Sequence, residues 1–232
     1  DNNKNIIANE TISQNQIHKD YNGVVPELAA RNHVLYIDKI LKRILKKQQL
    51  RITDIGLIAA TVGPGLVGGL LVGLTFAKTL SQVNRIPFIG VNHLEGHALT
   101  ARLANKVEYP FLLLLVSGGH SNFYFISDIN DYKFLGGTLD DALGEAFDKV
   151  ANILGLDFPG GPQLELLAMK GDYKKVSLPK PLINVKSLDM SFSGLKTAAF
   201  NCNNEIDKNK ISRCDLAASF QKSVADVLCK KI

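Results

Sequence analysis

The chain has 232 residues, of which 46% are hydrophobic and 21% are charged. It is long enough to bury the core of one large domain or two small ones, and its composition argues against general disorder. The formal net charge of +5 is concentrated in one segment, where six basic residues stand against one acidic residue. Because the rest of the chain is balanced, the sequence disfavours a protein that coats nucleic acid with its whole surface.

Helices and strands alternate along the chain, which predicts an α/β class with much parallel pairing. An apolar stripe at helical spacing predicts a helix over residues 32–48. Its other face and the residues after it carry the basic cluster, defined as Lys39, Lys42, Arg43, Lys46, Lys47 and Arg51. The elements predicted next are a strand over 55–62, a helix over 70–82, a strand over 86–91, and a helix that Asn92 caps and that runs to about Lys106.

One stretch, residues 55–77, contains 23 residues without a charge and so has the length of a membrane span. It also contains six glycines and Pro64, which are poor helix formers. A strand followed by a buried helix explains this composition better, so we expect no membrane segment. No signal peptide is visible, and the three cysteines have a spacing that fits neither a disulfide framework nor a zinc knuckle, which indicates a reducing compartment.

Tyr109 and Pro110 interrupt the pattern and predict a domain boundary, with one α/β domain over residues 1–110 and a second over residues 111–232. The second domain is predicted to open with an apolar strand over 111–116, a turn, and a partner strand over 122–126. Helices are predicted over 139–154, from 162 to 171, after Ser193 and Gly194, and from Asp215 to the end. The segment over 173–191 is predicted to be irregular.

His93 and His97 lie four residues apart, so on a helix their side chains share one face with Cβ atoms about 5–6 Å apart. This spacing suits two ligands of one metal ion, and surface or core histidines explain it about equally well. Two ligands alone do not make a site. In the zinc-protease pattern a glutamate stands at the second position, whereas Glu95 stands at the third, about 200° around the helix from His93. The sequence therefore disfavours a zinc protease.

The residues GPGLVG at 63–68 match a dinucleotide-binding fingerprint between a strand and a helix, but the acidic residue expected about 20 positions later is missing. We therefore expect these small residues to pack a helix closely against a strand. The turn SGGHS at 117–121 offers backbone amides for an anion, and simple hairpin chemistry explains the same residues.

Charged side chains on two later helices also have two interpretations. Asp141, Glu145 and Asp148 fall on one side of the predicted helix over 139–154, where they form either a solvated acidic face or a carboxylate row that lines a cleft. Lys196 follows the start of another helix, where we expect it to be solvated. The basic cluster is likewise either a solvated face or a strip that contacts phosphates.

Seven sequence blocks together carry more information than any one of them. In chain order they are GVVPELA at 23–29, GPGL at 63–66, NHLEGH at 92–97, LVSGGH at 115–120, GEAFDK at 144–149, FPGGP at 158–162 and SFSGLKT at 191–197. In this order, and over nearly the whole chain, they resemble the TsaD family of tRNA threonylcarbamoyladenosine transferases.

The resemblance implies a fold of the actin, sugar-kinase and chaperone-ATPase type, with two related α/β domains and the ligand in the cleft between them. It implies transfer of a threonylcarbamoyl group from threonylcarbamoyl-adenylate, which derives from ATP, to the adenosine beside the anticodon in tRNAs that read codons beginning with A. The implied partners are tRNA and, in bacteria, a paralogous subunit and a small P-loop ATPase. The implied location is cytoplasmic, with a mitochondrial location as an alternative.

The resemblance also implies roles for individual residues. His93 and His97 would be ligands of one divalent metal ion, most often described as Fe2+, with zinc as the alternative. The resemblance assigns contacts with the adenylate to Leu115, Val116, Ser117, Gly118, Gly119, Asp148, Gly161 and Glu165. No residue is identified as a general base.

The sequence departs from the family pattern at both ends. Family members begin with a short strand and an acidic, hydroxyl-rich loop before the position of Asp1, and they continue beyond Ile232 with a glycine loop and an aspartate that completes the metal site. We therefore expect the 232-residue chain to be inactive alone. Two other classes stay open: a metal-dependent glycoprotease, which the position of Glu95 opposes, and a non-catalytic truncated paralogue that pairs with a true transferase, which the retained histidine pair opposes.

Overall fold

The computed structural model of the chain describes residues 5–21, 23–105, 107–206 and 211–232, and the chain divides into two units between Val107 and Glu108. Both units contain helices and strands, which confirms the predicted α/β class. The first unit contains α1 (Asn15–His18), α2 (Pro26–Lys47), β1 (Ile58–Gly63), α3 (Val67–Asn84), β2 (Phe88–Asn92) and α4 (His93–Ala104), with 3-10 turns at Lys19–Tyr21 and Ile52–Asp54. The second contains β3 (Phe111–Val116), β4 (Ser121–Asp128), β5 (Asp131–Gly137), α5 (Leu143–Ile153), α6 (Gly160–Ala168), α7 (Ser193–Ile206) and α8 (Arg213–Lys231).

A parallel pair of strands forms the centre of the first unit. β1 pairs with β2 from Ile58 opposite Phe88 to Gly63 opposite Asn92, and α3 connects the two strands. Because both strands run in the same direction, their carboxyl ends lie at the same edge of the sheet. The glycine turn that follows β1 therefore lies beside the start of α4.

Small residues bring α2 and α3 close together. A Cβ atom added to Gly68 would lie 3.2 Å from the Cβ of Ala30, and one added to Gly69 would lie 3.7 Å from Nε2 of His33. The predicted packing of a helix against a strand is confirmed, since α3 contacts β1, and Gly68 and Gly69 in addition let α3 approach α2. α2 starts six residues earlier than predicted, because Pro26 occupies its first turn, where a missing N–H costs no hydrogen bond.

The first unit leaves apolar side chains exposed between α2 and α3. No residue of α2 is buried over its fully described length, and Val34 and Leu71 are more than half exposed. Together with Ile37, Val72 and Phe76 they line the apolar groove, a cavity of about 530 Å3. None of the helices in the described ranges combines the length and the apolar character needed to cross a membrane.

An antiparallel sheet in the order β3-β4-β5 forms one side of the second unit. Phe111 lies opposite Ile126 and Val116 opposite Ser121, so the first two strands are the predicted hairpin. The expectation of much parallel pairing is wrong here, because a four-residue turn can return the chain only in the antiparallel direction. β5 is not among the predicted strands, since Lys133 and two glycines interrupt its apolar pattern.

The main hydrophobic core belongs to the second unit, where the side chains of Phe123, Phe192 and Phe220 are fully buried. The segment between α6 and α7 is irregular, as predicted, and α8 holds it in place. Lys231 at the end of α8 donates hydrogen bonds to the backbone oxygens of Val185 and Ser187 at 2.9 and 2.7 Å.

Several helix ends differ from the prediction. α5 begins at Leu143 rather than near residue 139, because the Thr138 hydroxyl donates to the Asp141 carbonyl at 2.6 Å and closes a turn before the helix. It ends before Gly155, which has a φ of +72°, and this confirms the predicted glycine stop. α8 begins two residues early because the Ser212 hydroxyl accepts a hydrogen bond from the Asp215 amide. The predicted end of α4 at Lys106 lies outside the described residues.

Candidate ligand loop and histidine pair

The histidine pair lies at the start of α4 in the first unit. Asn92 ends β2 and caps α4, since its Oδ1 accepts hydrogen bonds from the amides of Leu94 at 2.9 Å and Glu95 at 3.4 Å, as predicted. The helix therefore begins at His93. The imidazole rings of His93 and His97 lie one turn apart, with ring centroids separated by 4.6 Å and planes inclined at 73°.

The two imidazole side chains are of a type that binds divalent metal ions. Two imidazole nitrogens suit Fe2+ or Zn2+, and a tetrahedral site takes four ligands. Over the described part of the chain, no group of three or more His, Cys, Asp and Glu side chains is placed to hold a metal ion. Glu95 lies within α4, two positions after His93, so the zinc-protease arrangement is not formed.

The ligand loop, residues 115–119, ends β3 in the second unit. The side chain of Leu115 is buried, so this residue can reach a ligand only through its backbone, whereas Val116 is exposed. The Ser117 hydroxyl accepts hydrogen bonds from the amides of Gly119 at 3.3 Å and His120 at 3.0 Å. Two of the amides that an anion would use therefore already have a hydrogen-bond partner. In this conformation the turn is better explained as a simple hairpin turn than as an anion site. The space beyond Gly118 and Gly119 is open.

α5 begins directly against the ligand loop. The Gly144 amide donates to the Ser117 carbonyl at 3.2 Å, and a Cβ atom added to Gly144 would lie 2.6 Å from that oxygen. The fully buried hydroxyl of Ser121 accepts a hydrogen bond from the Leu143 amide at 2.8 Å. The amino end of α5, with its partial positive charge, is therefore fixed beside the loop.

The start of α6 brings Asp148 and Gly161 together. Oδ1 of Asp148 accepts a hydrogen bond from the Gly160 amide at 2.8 Å, and a Cβ atom added to Gly160 would lie 2.4 Å from that of Ala151. Gly161 follows immediately and has open space beside it, and the exposed Glu165 lies one helical turn further on. Asp148 is thus linked through α5 to the ligand loop and through Gly160 to Gly161.

Asp140 anchors the start of α7, a role that the sequence did not indicate. Its Oδ1 accepts hydrogen bonds from the amides of Phe192 at 2.8 Å and Ser193 at 3.1 Å, and its Oδ2 accepts from the hydroxyls of Ser191 at 2.5 Å and Ser193 at 2.9 Å. Desolvation raises the pKa of Asp140, but the four hydrogen bonds outweigh it and bring the pKa to about 2.

Asp141 forms ion pairs with Lys196 at 2.5 Å and Lys149 at 3.3 Å, and Lys149 also pairs with Glu145 at 2.6 Å. Desolvation raises the pKa of Asp141, yet the hydrogen bonds from the two lysines lower it overall. Asp141 was expected to belong either to a solvated acidic face or to a carboxylate row that lines a cleft. Both expectations are wrong for Asp141, because it precedes α5 and turns toward α7. The expected solvation of Lys196 is wrong for the same reason. The only sequence signal was the presence of two adjacent aspartates before a helix.

Comparison with known proteins returns one family over almost the whole chain. Residues 5–232 match the family model described as "TsaD: tRNA N6-adenosine threonylcarbamoyltransferase". Proteins named tRNA N6-adenosine threonylcarbamoyltransferase from Rickettsia conorii and Rickettsia bellii are each 52% identical to this chain, and one from Rickettsia canadensis is 51% identical. These alignments cover 99% of this chain and 67%, 67% and 68% of the respective relatives, so the chain spans about two thirds of their length.

Proposed function

Because the chain belongs to the TsaD family of tRNA N6-adenosine threonylcarbamoyltransferases, we propose that it takes part in transferring a threonylcarbamoyl group to tRNA. The donor is threonylcarbamoyl-adenylate, and the acceptor is the exocyclic amine of the adenosine beside the anticodon in tRNAs that read codons beginning with A. The family has the actin-like ATPase fold, with which the α/β composition of both units agrees.

The chemistry of the donor determines what the protein must supply. Threonylcarbamoyl-adenylate is a mixed carbamic–phosphoric anhydride and is therefore already activated. The amine nitrogen attacks the carbamoyl carbon, the bond from that carbon to the phosphate oxygen breaks, AMP leaves, and the amine loses one proton to solvent. The main task of the protein is to align donor and acceptor, which accounts for the lack of an identified general base.

We assign the adenylate to the ligand loop and the neighbouring helices. The phosphate lies against Ser117, Gly118 and Gly119, beside the amino end of α5, which favours negative charge. Asp148 would repel phosphate, so it accepts hydrogen bonds from the ribose hydroxyls, with Gly161 and Glu165 beside it on α6. The observation that carries this assignment is the contact of Gly144 with Ser117, because it fixes the loop to the same helix that bears Asp148.

We propose that His93 and His97 hold one divalent metal ion, Fe2+ in the first instance and Zn2+ as the alternative. When bound, such an ion would act as a Lewis acid toward an oxygen ligand. The two imidazoles offer their nitrogens from adjacent turns of α4, at the sheet edge where the glycine turn after Gly63 also lies.

We also propose the partners that the resemblance implies, namely tRNA, a paralogous subunit and a small P-loop ATPase, and we expect the reaction to take place in the cytoplasm. The apolar groove supports a protein partner, since Val34 and Leu71 remain more than half exposed there. Sedimentation of the chain with the paralogous subunit tests this expectation. Val34→Asp combined with Leu71→Asp should prevent a complex from forming, and a complex of undiminished stability would contradict the proposal.

The adenylate assignment is tested by titrating the chain with AMP in a calorimeter. Asp148→Asn keeps an oxygen for the Gly160 amide but removes the charge, so AMP should bind about tenfold more weakly because hydrogen bonds to charged groups are the stronger ones. Asp128→Asn, the same change in a hairpin turn, is the matched control and should leave affinity unchanged. Equal affinities for the two variants would contradict the assignment.

Transfer itself is tested by supplying the adenylate and unmodified tRNA and analysing the nucleosides by mass spectrometry. We expect no modified adenosine when the 232-residue chain is the only protein, because its described residues provide two metal ligands and no cluster of three. Adding the partner subunits and a full-length relative should restore the product. Efficient transfer by the chain alone would overturn this expectation.

A further inference from the structure

A second cavity lies in the second unit, between the irregular segment before α7 and the helix α8. Its volume is about 390 Å3, which falls within the range of small-molecule sites. Val176 and Leu178 form an apolar part of its wall, and both are buried. The cavity shares no residue with the ligand loop or with the start of α6.

Positive charge exceeds negative charge at the rim of this cavity. The carboxylate of Asp226 pairs with Lys180 at 2.6 Å and also with Lys222. Hydrogen bonds from Lys180 and Lys222 lower the pKa of Asp226, so its carboxylate stays ionised and balances one of the two lysines. Lys174 adds a third ammonium group to the rim, and within the described ranges it forms no ion pair. Two positive charges are therefore left without a counter-charge.

A serine hydroxyl on α8 belongs to the lining of the same cavity. Ser223 is only 4% exposed and lines the cavity, yet no atom of the described residues forms a hydrogen bond with its hydroxyl. The neighbouring Ser219, which is equally buried, donates to the Tyr173 carbonyl at 3.0 Å. The Ser223 hydroxyl is therefore available to a ligand in the cavity, whereas the Ser219 hydroxyl is already engaged.

An aromatic ring completes the arrangement. Tyr173 is 47% exposed at the rim, and the ammonium groups of Lys174 and Lys222 lie 6.0 and 5.8 Å from its ring centroid. Lysines beside an exposed aromatic face are the combination by which proteins hold nucleotides, because the ring stacks on the base while the cations contact the phosphate.

We propose that this cavity binds a phosphate group of a ribonucleotide, with Lys174, Lys180 and Lys222 around the phosphate and the Ser223 hydroxyl donating to one of its oxygens. Two sources share this chemistry. One is a backbone phosphate of tRNA, and that source rests on the proposed function. The other is a free nucleotide, which does not depend on it.

The tRNA arm measures binding of an unmodified tRNA to the 232-residue chain over a range of salt concentrations. Lys174→Gln and Lys180→Gln should each reduce the slope of log affinity against log salt by about 1. Ser223→Ala changes no charge and should weaken binding about fivefold, the value of one hydrogen bond. Lys170→Gln, an exposed lysine of the same unit that does not line the cavity, is the matched control and should have no effect.

The free-nucleotide arm follows the amide NMR signals of the chain during titration with AMP and with inorganic phosphate. If the site takes free nucleotide, the signals of Ser219 and Ser223 should shift saturably, and Ser223→Ala should weaken this binding about fivefold. Because the signals are resolved by residue, AMP at the ligand loop is told apart from AMP at this cavity. If the wild-type chain binds no tRNA, the proposed function is contradicted. The NMR titration with AMP and inorganic phosphate still shows whether the cavity binds a phosphate group.

The fold of the variants is checked by thermal unfolding. Ser223→Ala removes a hydroxyl that makes no hydrogen bond within the described residues, so its midpoint should equal that of the wild type. Unchanged tRNA binding in all cavity variants, together with no saturable shift at Ser219 or Ser223, would overturn the proposal.

Discussion

The Asp141 carboxylate accepts a 2.5 Å hydrogen bond from the Lys196 ammonium, which lies 55 residues further along the chain. Their side chains are only 17% and 26% exposed. The pair connects the turn before α5 to the first turn of α7, and the adjacent Asp140 makes a second connection to the same turn. The start of α5 is hydrogen-bonded to the ligand loop. These two aspartates therefore help to position a candidate site that they do not themselves line.

A double-mutant cycle on this pair gives the first prediction. Asp141→Asn should destabilise the chain by about 1–2 kcal/mol, because it leaves Lys196 without its carboxylate, whereas Lys149 keeps Glu145. Lys196→Gln should cost about 1 kcal/mol, because Lys149 still neutralises Asp141. Urea unfolding measures both free energies, and the double variant should show a coupling above about 0.5 kcal/mol. Strictly additive costs would show that the two side chains act independently.

Asp140 makes stability depend on pH. Its pKa in the folded chain, about 2, lies below the ordinary value of 3.8, so its contribution is complete above pH 4 and disappears as the pH falls toward 2. We expect this contribution to be about 1 kcal/mol, since solvent screening weakens interactions at such an exposed position. The measurement compares unfolding free energies of the wild type and Asp140→Asn between pH 6 and 2. The difference in unfolding free energy between the two proteins should shrink as the pH falls. A difference that grows would contradict the lowered pKa of Asp140.

Gly144→Ala tests the contact between α5 and the ligand loop. The new Cβ would lie 2.6 Å from the Ser117 carbonyl oxygen, so the helix start must move, at a cost of about 1–3 kcal/mol. AMP affinity should fall with it. Gly73→Ala in α3 is the control, since an added Cβ meets nothing within 4 Å there, and it should stabilise the chain by about 0.5–1 kcal/mol. Equal effects of the two substitutions would argue against the contact.

The histidine pair is tested without any assay of transfer. Competition between the chain and a chelating dye for Co2+ measures metal affinity directly. His93→Ala and His97→Ala should each weaken binding more than about tenfold, because each removes one of two nitrogen ligands. His33→Ala removes an exposed histidine whose Nδ1 bonds to Gln14, and it should change nothing. Similar losses in all three variants would indicate non-specific binding.

Ion pairs within the first unit neutralise part of the basic cluster. Asp38 pairs with Lys42, and Glu10 pairs with Arg43 and Lys47, so part of the positive charge is already compensated. Lys39 and Lys46 form no ion pair in the described ranges, so these two lysines should contribute most to tRNA binding.

Glutamine in place of Lys42, Arg43, Lys46 and Lys47 should flatten the salt dependence of tRNA binding and leave AMP binding intact. Lys46→Gln alone should reduce the slope by about 1, and Lys47→Gln by less. If the slope is unchanged in every variant, the cluster is a solvated helix face.

Local chemistry explains which parts of the fold were predictable. The cap at Asn92 and the helix stop at Gly155 depend on a few neighbouring residues, and both are where the sequence placed them. β5 was missed because Lys133 and two glycines break its apolar alternation, so tertiary pairing with β4 decides its conformation. The role of Asp140 was missed and that of Asp141 was wrongly predicted, because their partners lie more than 50 residues away, beyond the range of any local pattern.

The hydrogen bonds of Ser117 with Gly119 and His120 determine how selective the ligand loop can be. A phosphate that takes these amides must displace the serine hydroxyl, so hydrogen bonds are exchanged rather than added, and the net gain from the exchange is small. Bare inorganic phosphate should therefore compete poorly for this loop. A complete nucleotide gains its affinity from the contacts that its ribose and base make elsewhere, and the loop discriminates in favour of such a ligand against the free phosphate that is abundant in cells.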